Sequence, residues 1–253
     1  MIALAERAAR AAGALVRERG QFTVHHKGRV DLVTEIDLAA EAMIREILEA
    51  ETPSIPILAE EGGGATDATT RWIVDPLDGT TNFVHDFPFY CVSIALQDGD
   101  LQVAAVYDVP RDVCYTAQRG QGAQANGSPI RVSETASLSQ ALVASGFAYD
   151  RRERADFYLP FLKVFLEQAQ GFRRAGAAAL DLAMLASGRL DGLYEFGLSP
   201  WDVAAGALLV EEAGGKVTDM HGLPLDLNAP KVLATNGRIH AEMATVLAPL
   251  IGS

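Results

Sequence analysis

Long apolar runs and cysteine are both scarce in this sequence of 253 residues. No stretch reaches the roughly 18 consecutive apolar residues that a membrane span needs, so we expect no membrane span and no membrane partner. Charged residues interrupt Met1–Gly20 and argue against an export signal, so we interpret the protein as cytoplasmic. Cys91 and Cys114 lie in apolar, strand-like segments, which favours buried free thiols over a disulfide or a zinc site.

Basic residues are also few. The chain has 21 Lys and Arg against 33 Asp and Glu, which gives a formal net charge of −12. This charge disfavours a broad nucleic-acid surface, although bound divalent cations could reverse the local sign and admit an anionic substrate. Hydrophobic residues make up 49% and charged residues 21% of the chain, which is typical of a globular protein.

The order of the expected helices and strands predicts an α/β protein with two halves. In the first half, helices precede a largely antiparallel meander that turns at Asp98-Gly99-Asp100 and Asn126-Gly127 and ends in a short strand at Ile130–Val132. In the second half, strands and helices alternate. We interpret the chain as a single domain, residues 1–253, with sub-halves at about 1–140 and 141–253.

The chemically informative residues are concentrated around one predicted strand end. Arg71–Val74 are expected to form a buried strand that stops at Pro76, with Asp75 and Asp78 at its end. Gly79–Asn82 are expected to turn the chain into a short helix, whose first N–H groups could hold a phosphate. Carboxylates beside a phosphate site suit Mg²⁺. The alternative is an ordinary turn, because Asp-Pro and Asp-Gly are common turn dipeptides.

A helix cap accounts for some of the other acidic residues. Thr34 and Asp37 have the spacing of a capping box, which leaves Asp31 without a structural role. Glu60 closes Ser54–Ala59, a short strand whose prolines suit the edge of a sheet. Glu60 could belong to a solvated acidic face or to a site at the strand end.

Five carboxylates lie at expected strand ends or helix starts, among apolar or small residues. They are Asp31, Glu60, Asp75, Asp78 and Asp202. A buried carboxylate without a counter-charge is costly, so if these side chains converge, cations must neutralise them. Such a group is typical of a two-metal site for phosphoryl transfer.

Four motifs resemble the inositol monophosphatase family, which belongs to the lithium-sensitive, Mg²⁺-dependent phosphatases. Along nearly the whole chain and in the family's order, they are Asp31–Asp37, Glu60-Glu61, Trp72–Phe83 and Pro200–Gly206. The resemblance implies a layered α/β/α/β/α fold, with one larger mixed sheet, a second smaller sheet and the site between the halves. It also implies a homodimer.

The resemblance further implies roles for individual residues. Two, or up to three, Mg²⁺ ions would be held by Glu60, Asp75, the Leu77 carbonyl, Asp78 and Asp202. Asp31 and Thr80 would orient and help deprotonate the attacking water, and Lys27 would lie in a mobile loop near the metals. The substrate would contact Glu60, Leu77, Asp78, Gly79, Thr80, Gly176, Ala177, Ala178, Glu195 and Asp202.

One departure from the family bears on the substrate. The family often has Ser or Thr where this chain has Ala177, so a hydroxyl contact to the substrate would be missing. Glu195 is expected at the rim of the site, where it would accept hydrogen bonds from substrate hydroxyls. Arg174, close by in the sequence, could contact a second anionic group or pair with an acidic neighbour.

The expected activity is Mg²⁺-dependent hydrolysis of a small phosphorylated polyol, with inositol 1-phosphate first and sugar phosphates accepted as well. The ions would activate water and offset charge on the leaving oxygen. Alternative substrates within the superfamily are fructose 1,6-bisphosphate and 3′-phosphoadenosine 5′-phosphate. An alternative of a different class is a regulatory protein-binding role in a transcription complex, without direct contact to nucleic acid.

Overall fold

The computed structural model describes residues 1–18, 20, 22–26, 32–64 and 66–251. Within this part, the chain forms seven α-helices: α1 (Ile2–Glu18), α2 (Glu35–Glu51), α3 (Thr80–Val84), α4 (Ala155–Gln168), α5 (Ala178–Ala186), α6 (Pro200–Glu212) and α7 (His240–Ile251). The strands of the same part are β1 (Val24–His26), β2 (Leu32–Thr34), β3 (Ile57–Ala59), β4 (Gly63–Gly64), β5 (Thr70–Asp78), β6 (Cys91–Asp98), β7 (Asp100–Asp108), β8 (Val113–Gln118), β9 (Gly122–Ala125), β10 (Ser128–Pro129), β11 (Leu142–Ser145), β12 (Gly171–Arg173), β13 (Gly192–Glu195), β14 (Lys216–Asp219) and β15 (Val232–Thr235). None of these helices is long and apolar enough to cross a membrane.

The strands form two mixed sheets and one separate pair. The larger sheet has eight strands in the order β10-β9-β8-β7-β6-β5-β3-β4, in which only β3 and β5 are parallel neighbours. The smaller sheet has the order β12-β11-β13-β15-β14, with the first three strands parallel. β1 and β2 pair antiparallel. Residues 27–31, which connect them, lie outside the described residues.

The helices and sheets stack in five layers. α1 and α2 pack on one face of the larger sheet, α5 and α6 lie between the two sheets, and α4 and α7 cover the other face of the smaller sheet. The expected α/β/α/β/α fold is therefore confirmed. Three buried hydrophobic clusters fill the interfaces between the layers.

Sequence pattern explains which layer each helix occupies. α1 buries one stripe, including Leu4, Ala8, Ala12 and Val16, and exposes its charged side chains, as expected for an outer layer. α5 buries every one of its residues, and α6 buries an unbroken run from Val203 to Val210. A helix that is apolar all round can only be stable when it is covered on both sides, which is the position between two sheets.

The strand that carries the central motif is longer than expected. The prediction that it stops at Pro76 is wrong, because β5 continues to Asp78. The pairing of β5 with β6 shifts between Asp75 and Asp78, which is a bulge or similar irregularity. Proline has no N–H to donate to the hydrogen bonds between neighbouring strands. The irregularity in pairing therefore allows β5 to continue through Pro76.

Two predictions about strand position are also wrong. The segment expected at Ser54–Ala59 shortens to β3 and is not an edge, because β4 covers its outer side. The last strand of the meander is β10 and not Ile130–Val132. Ile130 donates one backbone hydrogen bond to Ala123 in β9, and Val132 then donates to the carbonyl of Ala213 just after α6, so the chain has left the sheet.

Candidate active site

A cavity of about 390 Å³ is lined by residues from both sheets. β3 and β5 run parallel with Ala59 opposite Val74, so their carboxyl ends place Glu60 and Asp75 at the same edge of the larger sheet. The smaller sheet contributes Glu195 from the end of β13. The helices of the middle layer contribute residues from their first turns. The acidic side chains that line the cavity are Glu60, Asp75, Asp78, Glu195 and Asp202.

Backbone N–H groups hold the three aspartates in place. Asp75 Oδ1 accepts a hydrogen bond from the N–H of Leu77 at 3.0 Å. Asp78 Oδ2 accepts one from the N–H of Ala179 in α5 at 2.7 Å, so a residue of the second half orients a carboxylate of the first. Asp202 Oδ2 accepts one from the N–H of Ser199 at 2.6 Å, as part of a capping box that starts α6.

Burial and mutual repulsion make these carboxyl groups weaker acids than usual. Burial raises the pKa of Asp75 well above its ordinary value, and the charges of Glu60, Asp78 and Asp202 raise it further. The pKa of Asp78 is raised to about 7, mainly by burial, although its hydrogen bond from Ala179 opposes the shift. Each of these groups would be ionised more readily beside a cation.

The donor set fits Mg²⁺. It consists of carboxylates and the carbonyl of Leu77, which also lines the cavity, and hard cations prefer oxygen ligands. In the described part of the chain, no three His, Cys, Asp or Glu side chains are gathered closely enough to hold one metal ion, so the fit rests on carboxylates that line the same cavity. Mg²⁺ keeps several waters and takes a few carboxylates together with substrate phosphate.

The start of α3 forms another side of the cavity. Gly79, Thr80 and Thr81 line it, and Gly79 precedes the helix with φ of +93°, a conformation that favours glycine. A Cβ atom at position 79 would lie 3.0 Å from the carbonyl oxygen of Phe89, so larger residues would crowd the turn. Gly79 at the N-cap gives no side-chain hydrogen bond to the first turn of α3, whose N–H groups are therefore suited to an anion.

Thr80 has a partner that the sequence analysis treated only as a helix cap. Its hydroxyl lies 2.9 Å from Oδ1 of Asp37 and 3.1 Å from the carbonyl oxygen of Leu77. Asp37 is buried, and burial raises its pKa, against the hydrogen bonds from Thr34 and Thr80. Asp31, which was expected to pair with Thr80, and Lys27 both lie outside the described residues.

The substrate wall differs from expectation at two positions. Gly176 and Ala178 line the cavity, but Ala177 does not: it is 1% exposed, and its Cβ atom packs against the turn at Gly79. Glu195 is 7% exposed and so lies inside the cavity wall instead of at the rim. Burial raises its pKa well above the usual value, with further increases from Asp181 and Asp202.

Four further residues line the cavity. Phe147, Tyr149 and Arg151, which were not singled out from the sequence, follow β11, and Arg174, for which the sequence suggested an anion contact or an acidic partner, follows β12. β11 and β12 are neighbouring parallel strands, so the segments that leave their carboxyl ends lie at the same edge. The doublet Arg151-Arg152 was the available signal for Arg151, but sequence does not tell which arginine of the pair lines the cavity.

Comparison with known proteins gives consistent matches over most of the chain. A model of the inositol monophosphatase family matches residues 1–251. The inositol-1-monophosphatase of Synechocystis sp. is 48% identical over 229 residues, which cover 89% of this chain and 80% of that protein. The Nus factor SuhB of Escherichia coli (strain K12) is 42% identical over 250 residues, which cover 96% of this chain and 94% of that protein.

The solved structure of the inositol monophosphatase from Anabaena (Nostoc) sp. matches with a TM-score of 0.89 at 43% identity. The match covers 98% of this chain and 95% of that one. The family resemblance inferred from the four motifs is thereby confirmed. With its layered fold, its acidic cavity and these matches in agreement, the chain belongs to the inositol monophosphatase family.

Proposed function

We propose that this protein hydrolyses hydroxyl-rich phosphate monoesters with Mg²⁺, with inositol 1-phosphate first and sugar phosphates accepted as well. Hydrolysis of a phosphoric monoester comes with family membership. The proposal adds the cation, the substrate and the residue roles. It is carried by one observation: Glu60, Asp75, Asp78 and Asp202 line one cavity beside the uncapped start of α3.

In this proposal, two or up to three Mg²⁺ ions bind to Glu60, Asp75, Asp78, Asp202 and the carbonyl of Leu77. When bound, such ions lower the pKa of water and offset the charge on phosphate and leaving oxygens. The chain supplies the orientation. Because each aspartate has one oxygen tied to a backbone N–H, only small movements of these side chains are needed on binding.

The first N–H groups of α3, at Gly79 and Thr80, would hold the non-bridging phosphate oxygens. Thr80 donates its hydroxyl hydrogen to Asp37, so its oxygen can accept a proton from the attacking water. As the water attacks phosphorus, its proton passes to the Thr80 oxygen while the hydroxyl proton passes to Asp37. This proposal assigns to Asp37 the part that the family resemblance implied for Asp31, whose role stays a prediction.

Glu195 is proposed to accept hydrogen bonds from hydroxyl groups on the part of the substrate that carries the phosphate. Its carboxyl group lies close to Gly146, where a Cβ atom would be 1.7 Å from Glu195 Oε1. This contact and the burial of Glu195 fix the position of the carboxyl group. A fixed acceptor selects substrates by the geometry of their hydroxyls.

Removal of divalent cations tests the function. After exhaustive EDTA treatment, release of phosphate from inositol 1-phosphate should fall to background, and Mg²⁺ should restore it. Excess Ca²⁺ should inhibit, since it tolerates looser and higher coordination than Mg²⁺. Inhibition by Li⁺ is expected from the family. Full activity in EDTA would rule out the proposed site.

A second candidate function rests on the relative named Nus factor SuhB, which matches 96% of this chain at 42% identity. A regulatory role as a protein-binding subunit of a transcription complex is therefore a proposal alongside catalysis. A pulldown with the Asp78→Asn variant separates the two, because partner binding should survive loss of hydrolysis.

Assembly as a homodimer also stays a prediction, and light scattering after size-exclusion chromatography would test it.

A further inference from the structure

We propose that Arg151 and Arg174 form a second anion-binding subsite in the same cavity, which favours phosphate monoesters that carry an additional anionic group. This inference rests on the proposed hydrolysis and narrows its substrate class. The additional group would be a carboxylate or a second phosphate on the part of the molecule that is not cleaved.

Both arginines line the cavity. They follow β11 and β12, which are parallel neighbours with Ala144 opposite Arg173, so both segments leave the same edge of the smaller sheet. Glu195 comes from the end of β13, which is parallel to β11 and ends at that edge as well. The subsite therefore lies on the substrate side of the cavity, where the smaller sheet supplies the wall.

The charge of these arginines is not used in ion pairs with the described residues. Elsewhere, ion pairs within 4.0 Å engage Arg7, Arg10, Arg17, Arg45, Arg111, Arg119 and Arg154. No such pair joins Arg151 or Arg174 to a carboxylate in the described part of the chain. In a protein with an excess of acidic residues, two cavity-lining guanidinium groups without an ion pair are suited to an anionic ligand.

The backbone around Arg174 is held firmly. The side-chain amide of Asn82 donates hydrogen bonds to the carbonyls of Phe89 and Ala175, at 2.7 and 2.9 Å. The guanidinium group of Arg174 lies 5.9 Å from the ring centre of Phe147 and so close to Gly176 that a Cβ atom there would be 2.5 Å from its Nη1. Arg174 is exposed, so its guanidinium group is accessible to a ligand in the cavity while Phe147 and Gly176 lie beside it.

A competing explanation is that Arg174 only balances buried acids. Its charge lowers the pKa of Glu195 and of Asp181, against the larger effect of burial in each case. If that were its whole role, replacing Arg174 would affect all substrates alike. If it belongs to an anion subsite, the effect would be confined to substrates with the extra charge, and Arg151 would show the same selectivity.

The test uses two substrates with one cleavable phosphate each, α-D-glucose 1-phosphate and α-D-glucuronic acid 1-phosphate. They differ only in a CH₂OH group that becomes a carboxylate. The protein as it exists should prefer the glucuronic acid ester by about tenfold in kcat/KM, the scale of a hydrogen bond to a charged group. The preference should lie in KM and should shrink in 0.5 M NaCl because of screening.

The variants Arg174→Gln and Arg151→Gln should each reduce that preference about tenfold, which abolishes it. The kcat/KM for glucose 1-phosphate should stay within about twofold of the value for the unmodified protein. The neighbours provide matched controls: Arg173→Gln and Arg152→Gln change the same net charge at residues that do not line the cavity, and they should leave the preference intact.

Three outcomes would overturn the subsite. They are the absence of a preference in the unmodified protein, an equal loss on both substrates in Arg174→Gln, and an equal effect of the control variants. If glucose 1-phosphate is cleaved with Mg²⁺ in any of these cases, only the subsite fails. If neither ester nor inositol 1-phosphate is cleaved in a Mg²⁺-dependent manner, the proposed function fails and the subsite fails with it.

Discussion

The hydroxyl oxygen of Thr80 lies 2.9 Å from Oδ1 of Asp37, while the other carboxyl oxygen of Asp37 accepts a hydrogen bond from the N–H of Thr34 at 2.8 Å. One buried carboxyl group therefore serves two elements. Oδ2 caps α2 together with Thr34, and Oδ1 fixes the hydroxyl of Thr80 at the edge of the cavity. Asp37, which is proposed to accept the hydroxyl proton of Thr80, is thus part of the cap of α2.

Replacement of Thr80 by valine should lower kcat by about a hundredfold, the lower range for loss of a positioned proton acceptor. The cap of α2 does not involve Thr80, so the melting temperature should change little. Thr80→Ser keeps the hydroxyl and should retain most activity. Thr245→Val, at an exposed position of α7 that does not line the cavity, is the control in phosphate-release assays. Equal activity of Thr80→Val and Thr245→Val would exclude Thr80 from proton transfer.

Asp37 also shows what the sequence could and could not predict. The spacing of Thr34 and Asp37 correctly predicted the capping box. The cap accounted for Asp37 in the sequence, and the family resemblance implied the chemical role for Asp31. Asp202 has the same dual use: it caps α6 and lines the cavity. A cap uses one oxygen and leaves the other available, which spacing alone does not reveal.

Other features depended on how distant segments pack. The motifs predicted the family, the layered fold and the carboxylates that line the cavity. Burial of Ala177 against the turn at Gly79 joins residues about a hundred positions apart, and no local pattern records it. The hydrogen bond from Ala179 to Asp78 spans a similar separation. The passage of β5 through Pro76 likewise depends on its pairing with β6.

The variant Asp78→Asn should lower kcat by roughly a hundredfold or more, because a charge that holds the cations and the transition state is lost. The fold should persist. The pKa of Asp78 is raised to about 7 in the folded state, so its ionisation destabilises the metal-free protein. The stability that the protonated Asp78 carboxyl group contributes is fully present below the ordinary carboxyl pKa range, and it is lost as pH rises through about 7.

In EDTA at pH 8, Asp78→Asn should therefore melt at the same temperature as the unmodified protein or above it. Its amide oxygen can still accept the hydrogen bond from Ala179. Asp100→Asn, on an exposed turn, is the control and should change neither activity nor melting. An Asp78→Asn protein that is unfolded at room temperature would show that the residue is structural, contrary to its proposed role.

His240 should make stability depend on pH. Its ring is buried, with one nitrogen 3.1 Å from the hydroxyl of Thr218 and the other 3.0 Å from that of Thr235. Burial, with a smaller effect of Lys216, lowers its pKa from 6.5 to about 4. The unfolded chain takes up the proton first as pH falls, so stability that is present above pH 6.5 is lost towards pH 4.

The size of this loss is up to about 3 kcal/mol, given about 1.4 kcal/mol for each unit of pKa. Urea unfolding between pH 4.5 and 7.5 measures it. The carboxyl groups also change stability over this pH range. The informative quantity is therefore the difference in free energy of unfolding between the unmodified protein and His240→Gln, which should shrink as pH falls. His221→Gln, at an exposed position, should run parallel to the unmodified protein. A constant difference at all pH values would mean that folding does not lower the pKa of His240.

The carboxyl group of Glu195 lies within the cavity wall and close to Gly146. Glu195→Gln should reduce kcat/KM for inositol 1-phosphate by about 1–2 kcal/mol, the scale of hydrogen bonds that involve a charged acceptor. Hydrolysis of 4-nitrophenyl phosphate, which has no hydroxyls to bind, should be nearly unaffected. Gly146→Ala should act in the same direction, because the new methyl group must displace the Glu195 carboxyl group. Equal losses on both substrates would instead place Glu195 in support of the metal ligands, since Asp202 interacts with it electrostatically.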